Sequence, residues 1–137
     1  MRSVVGRPLW IGHAGDAWDS RSVLNVGIEA VVEVADSEPL ADLPRELVRF
    51  RFPLSDGGDN PPWLLRMAAE SVAALLRAGV PTLVCCASGL SRSVCVAAAG
   101  VALAEGQTFA ADISTVVGTG PADVSPRLVI QFQQLVG

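Results

Sequence analysis

The chain contains no lysine: all ten of its basic residues are arginines, against fourteen acids, for a formal charge of −4. The arginine bias reads as genomic composition and carries no function, but the sign of the charge excludes one. Binding nucleic acid without regard to sequence needs a basic face, and none is expected here. No apolar run approaches a membrane span either. The longest, Val94 to Ala104, falls well short of the roughly 18 residues required. Residues 1–15 are too polar for a secretory leader and are interrupted by Arg7-Pro8, so a cytoplasmic protein without membrane contact is expected. Histidine occurs once, as His13, far in sequence from every cysteine. Nothing has zinc spacing, and neither a metal nor an organic cofactor is expected. Cys85, Cys86 and Cys95 are odd in number, which implies no disulfide framework and suits a reducing compartment.

Charged residues make up only 18% of the chain and apolar ones half, which excludes intrinsic disorder. With 137 residues and no repeat or low-complexity linker, residues 1–137 form one domain with a single core. It is expected to be a monomer. Leu9-Trp-Ile11 predicts a first strand, and Asp16 to Val26 a helix capped by Asp16 and stopped by Gly27. Ala30 to Val34, rich in β-branched valine, reads as a strand buried on both faces. Leu47 to Phe52 alternates apolar and charged residues, as a strand with one exposed side does. Residues 53–62 form a loop. The periodicity of residues 63–77 predicts an amphipathic helix, capped by Asn60 with Pro61 at its first position and stopped by Gly79. After the buried strand that ends at Cys85, a small-residue helix runs from near Arg92. Thr108 caps another through Val116, and Ser125-Pro126 opens a last one ending near Leu135. Strands alternating with helices predict an α/β fold, a three-layer sandwich with a central, mostly parallel sheet flanked by helices.

The segment Cys86-Ala87-Ser88-Gly89-Leu90-Ser91-Arg92-Ser93 stands at the carboxyl end of a central strand, where such folds bind ligands. Five residues between a cysteine and an arginine let the backbone wrap once around a tetrahedral dianion and return the guanidinium beside the thiol. A thiol attacks phosphorus only as the thiolate, and three features favour that form. The helix beginning near Arg92 presents its positive end. The N–H groups of residues 87–92 converge as an anion nest. Arg92 grips two phosphate oxygens with parallel hydrogen bonds. Gly89 gives the wrap backbone freedom, Ser91 can pin the loop internally, and Ser93 can donate to the sulfur and ease its departure as a leaving group. The chemistry implied is covalent hydrolysis of a phosphate ester, with Ala87, Ser88, Gly89, Leu90, Ser91 and Arg92 binding phosphate.

Cys86 to Ser93, with its Ser-Arg-Ser ending, resembles the phosphate loop (the CX5R loop) of small cysteine-based dual-specificity phosphatases, a branch of the protein tyrosine phosphatase superfamily. Weaker likenesses extend over most of the chain: Leu9 to Asp16 for the opening strand and turn, Gly27 to Val34 for the next strand, Phe52-Pro-Leu-Ser-Asp56 for the general-acid loop, and Ser125-Pro126 before the final helix. The resemblance implies hydrolysis of phosphotyrosine or phosphoserine/threonine in proteins, through a cysteinyl-phosphate and without cofactor. It also implies an aspartate that protonates the leaving group. Asp56, thirty residues before Cys86 and followed by Gly57-Gly58, takes that place, with Asp59 in reserve. Cys86, Arg92, Asp56 and Ser93 are then the catalytic set, and a phosphorylated protein or small phosphomonoester the partner. One departure stands out. The family usually has histidine immediately before the nucleophile, where this chain has Cys85, and a neutral thiol braces a loop only weakly.

That departure keeps two other readings open: a phosphate-recognition module without turnover, and a phosphatase of a non-protein substrate such as a phosphoinositide or an RNA 5′-phosphate. A loop with no basic residue besides Arg92 weighs against highly phosphorylated lipid head groups. Blander readings apply elsewhere. Cys95 is a core filler or, with Cys85, a trap for an oxidised Cys86. Trp10, Trp18 and Trp63 read as packing residues, Trp63 alternatively as a border of the pocket because it follows the acid loop, and His13 is structural or simply exposed.

Overall fold

The computed structural model describes residues 1–4, 6–36, 43 and 46–137. In chain order its elements are β1 (Arg2–Ser3), β2 (Leu9–His13), α1 (Ala14–Trp18), α2 (Ser20–Val26), β3 (Ala30–Glu33), β4 (Val48–Arg51), α3 (Pro62–Arg77), β5 (Thr82–Cys86), α4 (Arg92–Glu105), α5 (Phe109–Val117) and α6 (Pro126–Val136). The strands pair in the order β1-β2-β5-β3-β4. All are parallel except β1, which runs antiparallel to β2. The predicted three-layer α/β sandwich is the fold that forms.

Strand β5 lies at the centre, and alternation along it divides the core. Leu83 and Cys85 face a layer holding Ala17 of α1 and Val23 of α2. Val84 and Cys86 face the opposite layer with Leu65, Val72, Val94, Phe109 and Phe132 from the remaining helices. Helix α4 is buried from Arg92 through Ala102, which explains its run of small residues. A Cβ on Gly100 would stand 2.4 Å from Val72 Cγ1, so glycine there lets α3 and α4 touch. At the far side of α4, the rings of Phe109 and Phe132 stack with centroids 5.7 Å apart, worth about 0.5–1.5 kcal/mol beyond the area they bury. The outcome is a rigid strand with a rigid helix behind it, joined by residues 87–91. Among the described residues no helix is long and apolar enough to cross a membrane.

Several local expectations are corrected. The helix predicted over Asp16 to Val26 is two helices broken at Asp19, whose backbone leaves helical geometry at φ −89°, ψ 80°. Its carboxylate accepts from Ser22 N–H at 3.2 Å and Ser22 Oγ–H at 2.7 Å, so the short acid captures the chain and caps α2. Asp16 is not an N-cap. It sits inside α1 and its Oδ2 accepts from His13 N–H at 3.0 Å, the reciprocal half of a capping box. Asn60 does not cap α3; Pro61 stands at the N-cap without a side-chain cap, and Pro62, not Pro61, is the first helical residue. The Asn60 amide instead laces the preceding loop, accepting from Ser55 N–H at 2.7 Å and donating to the Ser55 and Gly57 carbonyls. Gly27 and Thr108 stand where predicted, ending α2 in left-handed geometry and accepting from Ala111 N–H. Strand β1 was not anticipated, because two residues carry no periodicity.

A candidate active site at the end of strand β5

Cys86 is the last residue of β5, with parallel strands on both sides, so its side chain emerges where the loops from β2, β3 and β4 also leave the sheet. The thiol is only 2% exposed. Its sulfur accepts from Gly89 N–H at 3.3 Å and lies 3.2 Å from Ser93 Oγ. A backbone amide and a hydroxyl thus converge on one atom. Ser91, at the N-cap of α4, makes no side-chain cap bond to its own helix. The first N–H groups of α4 stay open to an anion.

The loop is clamped from both flanks. Gly89 has φ +73°, and a Cβ there would stand 2.9 Å from the carbonyl carbon and oxygen of Gly12. Glycine is needed twice over, for the left-handed turn and for backbone laid against the end of β2. On the other side of Gly89, Arg2 of β1 donates through Nη2 to the Gly89 and Pro121 carbonyls at 3.3 and 2.9 Å, and through Nε to Thr119 Oγ1 at 3.3 Å. Burial lowers the pKa of this guanidinium, with the neighbouring Cys86 opposing the shift. Gly120 makes room for the Arg2 stem, since a Cβ there would meet Arg2 Cδ at 2.4 Å. Asp123 N–H adds a bond to the Leu90 carbonyl at 2.9 Å. Ala87 and Ser88, at the crown, are exposed.

Arg92 is 9% exposed and is aimed by the loops after β3 and β4. Its Nη1 donates to the Leu54 carbonyl and to Asp36 Oδ1, both at 3.0 Å. Among the described residues nothing accepts from its Nε or Nη2, the edge of the guanidinium that matches two oxygens of a phosphate. Asp36, Arg2 and Gly12 were not singled out from the sequence. Asp36 is fifty-six residues from its partner, and no local pattern announces such a pair.

The two candidate acids separate cleanly. Ser91 Oγ donates to Asp56 Oδ1 at 2.6 Å, which ties Asp56 directly to the loop between β5 and α4. Asp59 lines a surface hollow with Gly58, Arg127 and Gln131, beside α6. Gly58 serves close packing there and not mobility, since a Cβ on it would come within 2.9 Å of Arg127 Cβ. Ser91 was expected to pin the loop internally. Its hydroxyl instead bridges outward, accepting from Ser125 N–H at 2.9 Å while donating to Asp56. Ser125 makes no side-chain cap bond; its contribution is this amide. Trp18 and Trp63, expected to be packing residues, are instead 50% and 66% exposed, and His13 is exposed beside Asp16, with Nε2 and Oδ1 3.5 Å apart.

All three cysteines are free. Cys85 faces the α1–α2 layer, away from the loop, and burial first, then Glu33, Cys86 and Asp16, push its thiol up to about 12. Burial first, then Asp56 and Cys86, push Cys95 up to about 12 as well. Both thiols are neutral in the folded protein at pH 7. In the unfolded chain they would ionise near the ordinary value of 9.0, so the folded state binds more protons between the two values and stability falls as pH rises through that window. At about pH 10 each thiol costs about 1 kcal/mol relative to neutral pH. The melting temperature should therefore hold steady to about pH 8 and decline by several degrees above it. Cys85→Ala with Cys95→Ala should flatten that decline, and scanning calorimetry across the range checks it. Among the described residues no three His, Cys, Asp or Glu side chains gather so as to hold a metal ion.

No family model and no curated protein sequence matches the chain, but solved structures do. Human DUSP28 is 25% identical, with 98% of this chain and 94% of that one covered at a TM-score of 0.87. A mouse putative dual specificity phosphatase, solved with zinc tungstate, is 25% identical over 98% and 85%, at 0.86. The human tyrosine phosphatase-like serine/threonine/tyrosine-interacting protein shares the fold over 98% and 93% at 0.83, with 18% identity. In fold and in the loop after β5 the chain is thus similar to the small atypical dual-specificity phosphatases of the cysteine-based protein tyrosine phosphatase superfamily.

Proposed function

We propose that the chain is a cysteine-dependent phosphomonoester hydrolase acting on phosphoproteins at phosphotyrosine, phosphoserine or phosphothreonine. The observation that carries this reading is convergence: the Cys86 sulfur and the open edge of Arg92 stand at the two ends of one loop, and the Asp56 carboxylate reaches that loop from a separate segment. Cys86 attacks phosphorus in line with the leaving oxygen, forming the S–P bond as the P–O bond breaks. Asp56 gives its proton to that oxygen. The loop N–H groups and Arg92 hold the three equatorial oxygens, where charge stabilisation contributes most. Water then attacks the cysteinyl-phosphate, losing a proton to Asp56, while Ser93 stabilises the departing sulfur. No step requires a metal ion.

Cys85 has no part in this scheme. Its side chain lies on the far face of β5, so where the family keeps histidine this chain relies on Gly89, Arg2 and Asp36 to hold the loop and its arginine. Hydrolysis of an aryl phosphate and of phosphopeptides by the purified chain in EDTA is the expected result. Turnover that requires an added divalent metal would overturn the reading. Tight phosphopeptide binding without turnover would replace it with the recognition module.

A further inference from the structure

We infer that Ser91 is a positioning residue that presets the general acid, so that Asp56 stands over the phosphate loop before any substrate arrives. The inference rests on the proposed phosphatase reading and deepens it. Three segments meet at one hydroxyl: the helix opening at Ser125 donates its N–H to Ser91 Oγ, and Ser91 donates its own proton to Asp56 Oδ1. Because the incoming bond from Ser125 fixes which way the hydroxyl proton points, the pair has one polarity. Asp56 Oδ1 is an acceptor, and Oδ2 is left to carry the proton that the leaving group needs.

The acid loop is stiff as well as tied. The Asn60 amide closes it through both Ser55 backbone groups and the Gly57 carbonyl, and Gly58 packs against Arg127 of α6. Gln131 of α6 donates to the Asn60 carbonyl at 3.0 Å. A loop held at so many points has little closing left to do. Ser91 would otherwise cap α4, and the turn of its hydroxyl toward Asp56 uses the same residue to leave the helix end open and to place the acid.

The test compares Ser91→Ala and Ser91→Thr on two substrates. p-Nitrophenyl phosphate has a leaving group that departs without much protonation, whereas phenyl phosphate needs the acid. Ser91→Ala should lose about tenfold or more in kcat on phenyl phosphate, a fraction of what general acids contribute, and much less on p-nitrophenyl phosphate. Ser91→Thr, which keeps the hydroxyl, should restore the rate lost on phenyl phosphate. In an Asp56→Asn background Ser91→Ala should cost little more, since both changes remove one function. Amide exchange in residues 53–60 should quicken in Ser91→Ala. Equal losses on both substrates, or full additivity with Asp56→Asn, would overturn the inference and leave Ser91 a loop-folding residue. Retained wild-type turnover in Cys86→Ser would instead sink the phosphatase reading itself.

Discussion

Cys86→Ser should leave no measurable turnover of an aryl phosphate, a loss of at least about 10⁴-fold on the scale at which removing a nucleophile is felt. The surroundings of the sulfur are built for an anion: Gly89 N–H donates to it, Ser93 Oγ lies 3.2 Å away, and α4 begins behind it with uncapped N–H groups. A serine hydroxyl in the same place does not ionise, and among the described residues no histidine is hydrogen-bonded to Cys86, the His13 ring lying against Asp16. Binding should behave in the opposite way. Arg92 keeps its hold on Leu54 and Asp36 and the loop keeps its amides, so the groups that would grip phosphate survive the substitution. A phosphopeptide should therefore bind Cys86→Ser about as tightly as the wild type. Titration calorimetry beside the rate assay reads both, and a variant that still turns over would remove the cysteinyl intermediate.

Asp56→Asn should lower kcat on phenyl phosphate by roughly 10²- to 10⁴-fold, the usual contribution of a general acid. Asparagine can still accept from Ser91, so the loop should keep its place and KM should move little. The proton to be donated is what disappears. The defect should shrink on p-nitrophenyl phosphate, whose leaving group departs without much protonation. Asp59→Asn is the control, because Asp59 faces α6 and not the loop. If Asp59→Asn proved the slower variant, the acid would have to be reassigned and the Ser91–Asp56 bond read as structural.

What the sequence disclosed was what is local. Cys86, Gly89 and Arg92 lie within one turn of chain between a buried strand and a helix, and backbone geometry alone makes such a segment an anion cradle. Asp56 was reachable only through family likeness, and its bond to Ser91 was not legible because the two are thirty-five residues apart. The same holds for Asp36 beneath Arg92 and for Arg2 beside Gly89: each depends on the order in which strands assemble, which periodicity does not reveal. The misreadings of Asp16 and Asn60 share another cause. Both are short polar residues near a helix start, and capping statistics do not say whether such a side chain will turn to its own helix, to an earlier turn or to a loop.

The two inert thiols also give the protein an optical label. A thiolate absorbs in the ultraviolet where a thiol does not, and in most proteins tyrosine ionisation overlies that signal in alkali. This chain has no tyrosine. The band that grows on alkaline titration accordingly counts cysteines alone, and because Cys85 and Cys95 lie on opposite faces of the sheet, single alanine replacements at the two would show which layer admits hydroxide first.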